Sequence, residues 1–140
     1  MTSMTQAEKE VFLADVHVGV LAIADPGHGP LTAPVWYDYR PGGEIWLLTG
    51  PESRKGRLLE PGTRVSLVAQ TETPPYRYVS VEGPVTTISP ASAERDLQPM
   101  AVRYLGPALG AQYARESSGE ASVVVRIRPE RWLAVDYGKS

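Results

Sequence analysis

Turn-forming Gly and Pro residues punctuate this chain densely and divide it into mostly short elements. Asp25-Pro26-Gly27-His28-Gly29-Pro30, Pro41-Gly42-Gly43, Gly50-Pro51, Pro61-Gly62, Gly83-Pro84 and Gly106-Pro107 recur through its 140 residues, and such pairs favour turns, bulges and helix ends. Most of the segments between them are short and apolar at alternate positions, the pattern of hairpin-linked strands. The length suits a single domain over residues 1–140 with one core.

Residues 16–24 are apolar on both alternating sets, as in a strand with one side in a core and the other covered by a helix or a partner. Residues 31–39 form a second strand, and Pro34 removes one ladder donor from it, which predicts an edge or a bulge. Further strands are expected over 44–49, 64–70, 76–88, 121–128 and 131–137, with Gly83-Pro84 as a bulge where the long fifth strand changes direction. Thr5-x-x-Glu8 is a capping box that opens a short helix over 5–14. A second short helix, 53–60, stops at Pro61-Gly62, and residues 90–116 have helical spacing cut by Pro99 and Gly106-Pro107 into two or three pieces. The sum is a mainly β, six- to seven-stranded split barrel decorated by helices, one group of them inserted before the last two strands.

Composition narrows the chemistry. Hydrophobic residues make up 42% and charged residues 21%, ordinary globular values, and no apolar run is long enough to span a bilayer. With 14 basic and 16 acidic residues the net charge of −2 gives no electrostatic reason to bind nucleic acid. The absence of cysteine removes disulfides, thiolate nucleophiles and zinc–thiolate sites, and two histidines, His17 and His28, are too few for a histidine-rich metal centre. His28 is expected in solvent and His17 in a structural role. No G-x-S-x-G elbow, P-loop or G-x-G-x-x-G fingerprint is present. The opening Met1-Thr2-Ser3-Met4 has neither the charge nor the apolar stretch of a signal peptide, so a cytoplasmic protein is expected. Eleven Arg against three Lys, and no Asn, fit a GC-rich genome.

Three clusters carry candidate chemistry. After the apolar strand at 44–49, a helix start brings together the Thr49 and Ser53 hydroxyls with Arg54, Lys55 and Arg57, an arrangement suited to an anion; a capped surface helix with solvated arginines would look the same. Ala33-Pro34-Val35-Trp36-Tyr37 combines exposed backbone with flat π surface of the kind that lines a planar ligand, although both aromatics could equally be core. Tyr76-Arg77-Tyr78 adds aromatic and cationic groups at the head of a long strand, where a cross-strand aromatic pair is the plainer explanation.

In order, G-x-L-T-A-P-V-W-Y (29–37), E-I-W-L-L-T (44–49), S-R-K-x-R-L-L (53–59), R-V-S-L (64–67), Y-V-S-V-E-G (78–83) and the late Arg131-Trp132 resemble the pyridoxamine 5′-phosphate oxidase-like split β-barrel superfamily. Within it the sequence is most similar to the flavin/deazaflavin oxidoreductases, particularly the small B-type members that use coenzyme F420. The resemblance covers nearly the whole chain.

It implies a homodimer with cofactor sites in grooves at the dimer interface. Pro34, Val35 and Trp36 would run beside the ring through backbone contacts, and Thr49, Ser53 and Lys55 would hold the phosphate, with Arg54 and Arg57 nearby. Tyr76 and Tyr78 would reach the partner's site, and Trp132 matches a late-strand tryptophan that could equally be barrel packing. The arginine-and-histidine region that clamps pyridoxine phosphate in the oxidases themselves is absent here, which argues against vitamin B6 oxidation. F420 is preferred over FMN because Arg54, Arg57 and Arg77 could meet its oligoglutamate tail and because the GC-rich composition is typical of actinobacteria, which make it. The implied activity is hydride transfer between reduced deazaflavin and an unsaturated small molecule. An FMN-dependent oxidoreductase and a non-catalytic binder of a cofactor, haem or tetrapyrrole stay open. No catalytic acid stands out, and Tyr76, Tyr78 or solvent are the candidates for a proton donor.

Overall fold

The computed structural model describes residues 1–139. Its capping box is formed on both sides, the Thr5 hydroxyl accepting from Glu8 N and the Glu8 carboxylate from Thr5 N, and it opens α1 (Gln6–Ala14). Eight strands follow: β1 (Gly19–Ile23), β2 (Leu31–Val35), β3 (Tyr37–Asp38), β4 (Ile45–Thr49), β5 (Arg64–Gln70), β6 (Arg77–Pro90), β7 (Val123–Ile127) and β8 (Arg131–Asp136). A short α2 (Arg54–Leu58) lies between β4 and β5. A π-helical turn (Ala93–Leu97), α3 (Gln98–Leu105) and α4 (Pro107–Ser117) fill the stretch before β7. Pro99 does not break α3, because in the first turn its missing N–H is not needed, whereas Gly106-Pro107 does separate the two helices.

Every strand pair is antiparallel, and the order is β2-β1-β5-β6-β7-β4-β3, with β8 paired to β6. The two ends of that order, β2 and β3, are one stretch of chain separated by Trp36 alone, so the sheet curls until its edges meet there. The strand expected over 31–39 is therefore two strands, and Pro34 does sit on the edge strand β2.

Long β6 serves both halves of the barrel, pairing with β8 over its first part and with β7 over its second. The hand-over falls at Gly83, where a Cβ would stand 1.7 Å from the Arg128 carbonyl oxygen, so only glycine fits. The register shift lies between Val85 and Thr87 rather than at Gly83-Pro84, where it was expected, because Pro84 still pairs in register with Arg64 of β5.

Inward residues alternate along the strands: Leu21 and Ile23, Ile45 and Leu47, Val65 and Leu67, Val79 and Val81, Val125 and Ile127 are all buried. Two tyrosines pin α1 over one end of this core. The fully buried Tyr37 donates its hydroxyl to Leu13 O at 2.7 Å, and Tyr39 donates to the Glu10 carboxylate at 2.9 Å. Trp132 is half-buried against the core with its ring edge-on to Tyr39, so it acts as barrel packing. No helix among the described residues is long and apolar enough to cross a membrane.

Replacing Tyr37 with Phe removes the buried bond to Leu13 O and leaves that carbonyl without its partner. The expected loss is about 1–3 kcal/mol, read as a lower urea midpoint at unchanged m-value.

Candidate functional site

From the sequence, Trp36 and Tyr37 could each offer ring surface to a ligand or pack in the core. The pleat lets only one of them face a ligand, because neighbours on extended chain point to opposite sides. Tyr37 faces the core, where burial raises its phenol far above the usual value, and Trp36 faces outward into a groove of about 280 Å³. The groove is lined by Pro34, Val35 and Trp36, by Leu48 of β4 and Lys55 of α2, and by Leu97, Met100 and Tyr113 of the helical insertion. A second depression of about 190 Å³ adjoins it, sharing Leu48, Leu97 and Tyr113 and adding Thr49, Gly50 and Ser122.

Lys55 is the electrostatic feature of the groove. It is half-buried, most of its neighbours there are apolar, and among the described residues it has no acidic partner. A cation held beside apolar walls without a counter-ion favours an anionic ligand. The turn that places it is tightly bonded. Ser53 Oγ donates to Gly50 O at 2.7 Å, accepts from Gly56 N at 3.1 Å and lies 3.1 Å from the buried Thr49 hydroxyl. Gly56 is required, since a Cβ there would meet Gly50 O at 2.1 Å. Both hydroxyls thus shape the strand-to-helix turn, with Lys55 projecting from it.

The remaining sequence candidates divide. Arg54 pairs with Asp25 at 2.8 Å across the turn between β1 and β2. Arg57 is exposed in the last turn of α2 and does not line the groove. Tyr76 and Tyr78 line neither depression of their own chain; Tyr76 is 50% exposed and Tyr78 is registered between Gln70 and Val135 on the outer face of the sheet. His28 lies exposed in its turn, and His17 stacks on Phe12 with ring centroids 4.5 Å apart. Among the described residues no group of His, Asp and Glu could hold a metal ion.

Leu48, Leu97, Met100, Tyr104 and Tyr113 were not foreseen. Tyr104 stacks on Trp36 at 5.0 Å with the rings nearly parallel, and Tyr113 meets Trp36 at 5.5 Å, tilted by 51°. Helical spacing showed that residues 90–116 have an apolar side, but only the seating of the insertion beside Trp36 tells which aromatics reach the groove.

Another depression of about 280 Å³ lies beneath α1, lined in part by Phe12, Glu8, Asp15, Arg77 and Asp136. Three carboxylates around one guanidinium, itself stacked over Phe12 at 5.0 Å, oppose a phosphate there, so the groove at Trp36 is the better anion site.

The family model for pyridoxamine 5′-phosphate oxidase matches residues 4–136. Among solved structures, a conserved hypothetical protein from Mycobacterium tuberculosis is similar at 29% identity and a TM-score of 0.77, covering 99% of this chain and 88% of that one. A protein named F420 reductase is similar at 24% identity and a TM-score of 0.70, covering 89% of this chain and 94% of that one. An FAD-binding protein from Mycobacterium smegmatis shares the fold at 14% identity, with a TM-score of 0.63 and 96% of each chain covered. No curated protein matches.

Proposed function

This chain belongs to the pyridoxamine 5′-phosphate oxidase family, and from that premise we propose that it is an oxidoreductase that holds a flavin-type cofactor, coenzyme F420 by preference, in the groove beside Trp36. The observation that carries the reading is that a Lys55 ammonium with no acidic partner among the described residues lines the same groove as Pro34, Val35 and Trp36. The cation suits a phosphate and the aromatic surface a flat ring, the two parts of such a cofactor.

When bound, the cofactor supplies hydride transfer to or from an unsaturated small molecule. The protein's part is placement. The edge-strand backbone of Pro34 and Val35 runs along the ring, Trp36 gives it a wall, and Lys55 charge-pairs with the phosphate while Thr49 and Ser53 keep the turn that carries Lys55 in shape. Of the three arginines expected to meet an oligoglutamate tail, Arg54 is paired with Asp25 and Arg77 lies over Phe12, so Arg57 is the one that supports F420. A flavin nucleotide on the same groove is the second reading, supported by neighbours named as FAD-binding proteins.

The same reading includes a homodimer. On the outer face of the sheet the registered row Pro34, Val20, Val68, Ser80 and Leu133 is mostly apolar, with Val20 at 38% and Leu133 at 62% exposure. Val16 and Val18 extend it, so the second apolar side of the segment at 16–24 is left uncovered within one chain. Apolar surface of this kind marks an interface. Because Pro34 belongs to both the row and the groove wall, a second copy seated on this face would border the groove, and its Tyr76 and Tyr78 are the candidates to reach it.

Fluorescence titration should give micromolar or tighter binding of F420 or FMN, and Lys55→Ala should weaken it by about 1.5–3 kcal/mol, roughly 10- to 150-fold in Kd. Leu133→Asp should shift sedimentation from dimer to monomer and weaken binding as well. Absence of binding by any of F420, FMN or FAD would end the enzyme reading, and unchanged affinity in Lys55→Ala would remove Lys55 from the phosphate site.

A further inference from the structure

The helical insertion is fastened to the barrel beside the seam between β2 and β3. There the Tyr104 hydroxyl oxygen lies 2.9 Å from Tyr37 N, 2.8 Å from Tyr37 O and 2.7 Å from His17 O. A phenol has one proton to give. The phenol proton is therefore given to one of the two carbonyls, His17 O being the nearer, while the phenol oxygen accepts the Tyr37 N–H; Tyr37 O also accepts from Arg103 Nε at 3.0 Å. A phenol is a donor at neutral pH, and burial pushes that of Tyr104 further up from its ordinary value. With its hydroxyl tied to the backbone on two sides, the ring cannot turn.

The face of that fixed ring carries Trp36. The two rings are 5° from parallel, and Trp36, as the single residue between β2 and β3, has no ladder partner of its own in the sheet. Tyr104 does not line the groove; it stands behind the residue that does. We propose that Tyr104 is a positioning residue for the groove: its hydroxyl, bonded to the seam backbone, holds its ring against Trp36 and so sets the plane of the wall on which the bound ring lies. The proposal rests on the cofactor reading of the groove for its consequence, and on the Trp36–Tyr104 stack for its cause.

Arg103 shares the anchoring, and its guanidinium lies over the Tyr104 ring, 5.8 Å from the centroid, but only Tyr104 of the two stacks on Trp36. Its guanidinium bonds Ala14 O at 3.0 Å and Asp15 O at 3.1 Å at the end of α1, and pairs with Asp38 at 3.2 Å. It therefore serves fastening, and Tyr104 both fastening and orientation.

The test uses the full-length protein with Trp46 and Trp132 replaced by Phe, leaving Trp36 as the only tryptophan. Tyr104→Phe keeps a ring but loses both backbone anchors; Tyr104→Leu loses the ring too. Acrylamide quenching reads Trp36, titration reads Kd for F420 and FMN, and urea unfolding reads stability. Thr5→Ala, which weakens the distant cap of α1, serves as a destabilised control. Quenching of Trp36 should increase in Tyr104→Phe and further in Tyr104→Leu, with Kd rising roughly 3- to 10-fold in the former as the pre-set wall is lost, while Thr5→Ala changes stability alone. Should Tyr104→Leu fail to fold, Tyr104→Phe decides by itself. Quenching and Kd unchanged in Tyr104→Phe, or changed equally in Thr5→Ala, would overturn the proposal. If the parent protein binds none of the cofactors, the cofactor reading fails, and Trp36 quenching still decides whether Tyr104 sets the wall.

Discussion

Closing a sheet into a barrel from one bent strand leaves backbone groups at the bend facing no neighbour, and here those groups belong to Tyr37. Its N–H and C=O are taken by Tyr104 and Arg103 of α3, side chains more than sixty positions away in the sequence. Without them the seam would be an open edge with unpaired donors and acceptors, costly if buried and a template for aggregation if exposed. The same contacts seat the helical insertion, and the seated insertion supplies part of the groove's lining. Closure of the barrel and formation of the site are one event.

The groove's character follows from what is left over at the seam. Trp36 is freed from the ladder and turned outward, Pro34 cannot donate to a further strand, and Lys55 leans in from a turn too tight for any residue but glycine at position 56. None of these groups is a strong acid, base or nucleophile. A site built of backbone edge, aromatic wall and one cation suits a bound group that brings its own reactivity, in keeping with a chain that has no cysteine and two histidines outside the groove.

Much of this was readable from local sequence. The Thr5–Glu8 capping box, the strand at 64–70, the edge position of Pro34 and the glycine-bounded turn before Lys55 each depend on residues a few positions apart, and each formed as the pattern indicates. What the sequence hid was long-range. The ladder break at Trp36, the register slip after Val85 and the roles of Arg103 and Tyr104 all depend on which strand or helix lies alongside, and no local spacing carries that. The uncovered valines at 16, 18 and 20 were legible as apolar, but a single chain gives nothing to cover them.

A crystal structure of the protein grown with F420 or FMN tests the central claim most directly. The ring should lie along Pro34–Trp36 with a phosphate oxygen within hydrogen-bonding distance of Lys55 Nζ, and a second copy should cover Val20 and Leu133. A ring lodged instead beside Phe12 and Arg77 under α1, with the seam groove holding only solvent, would contradict it.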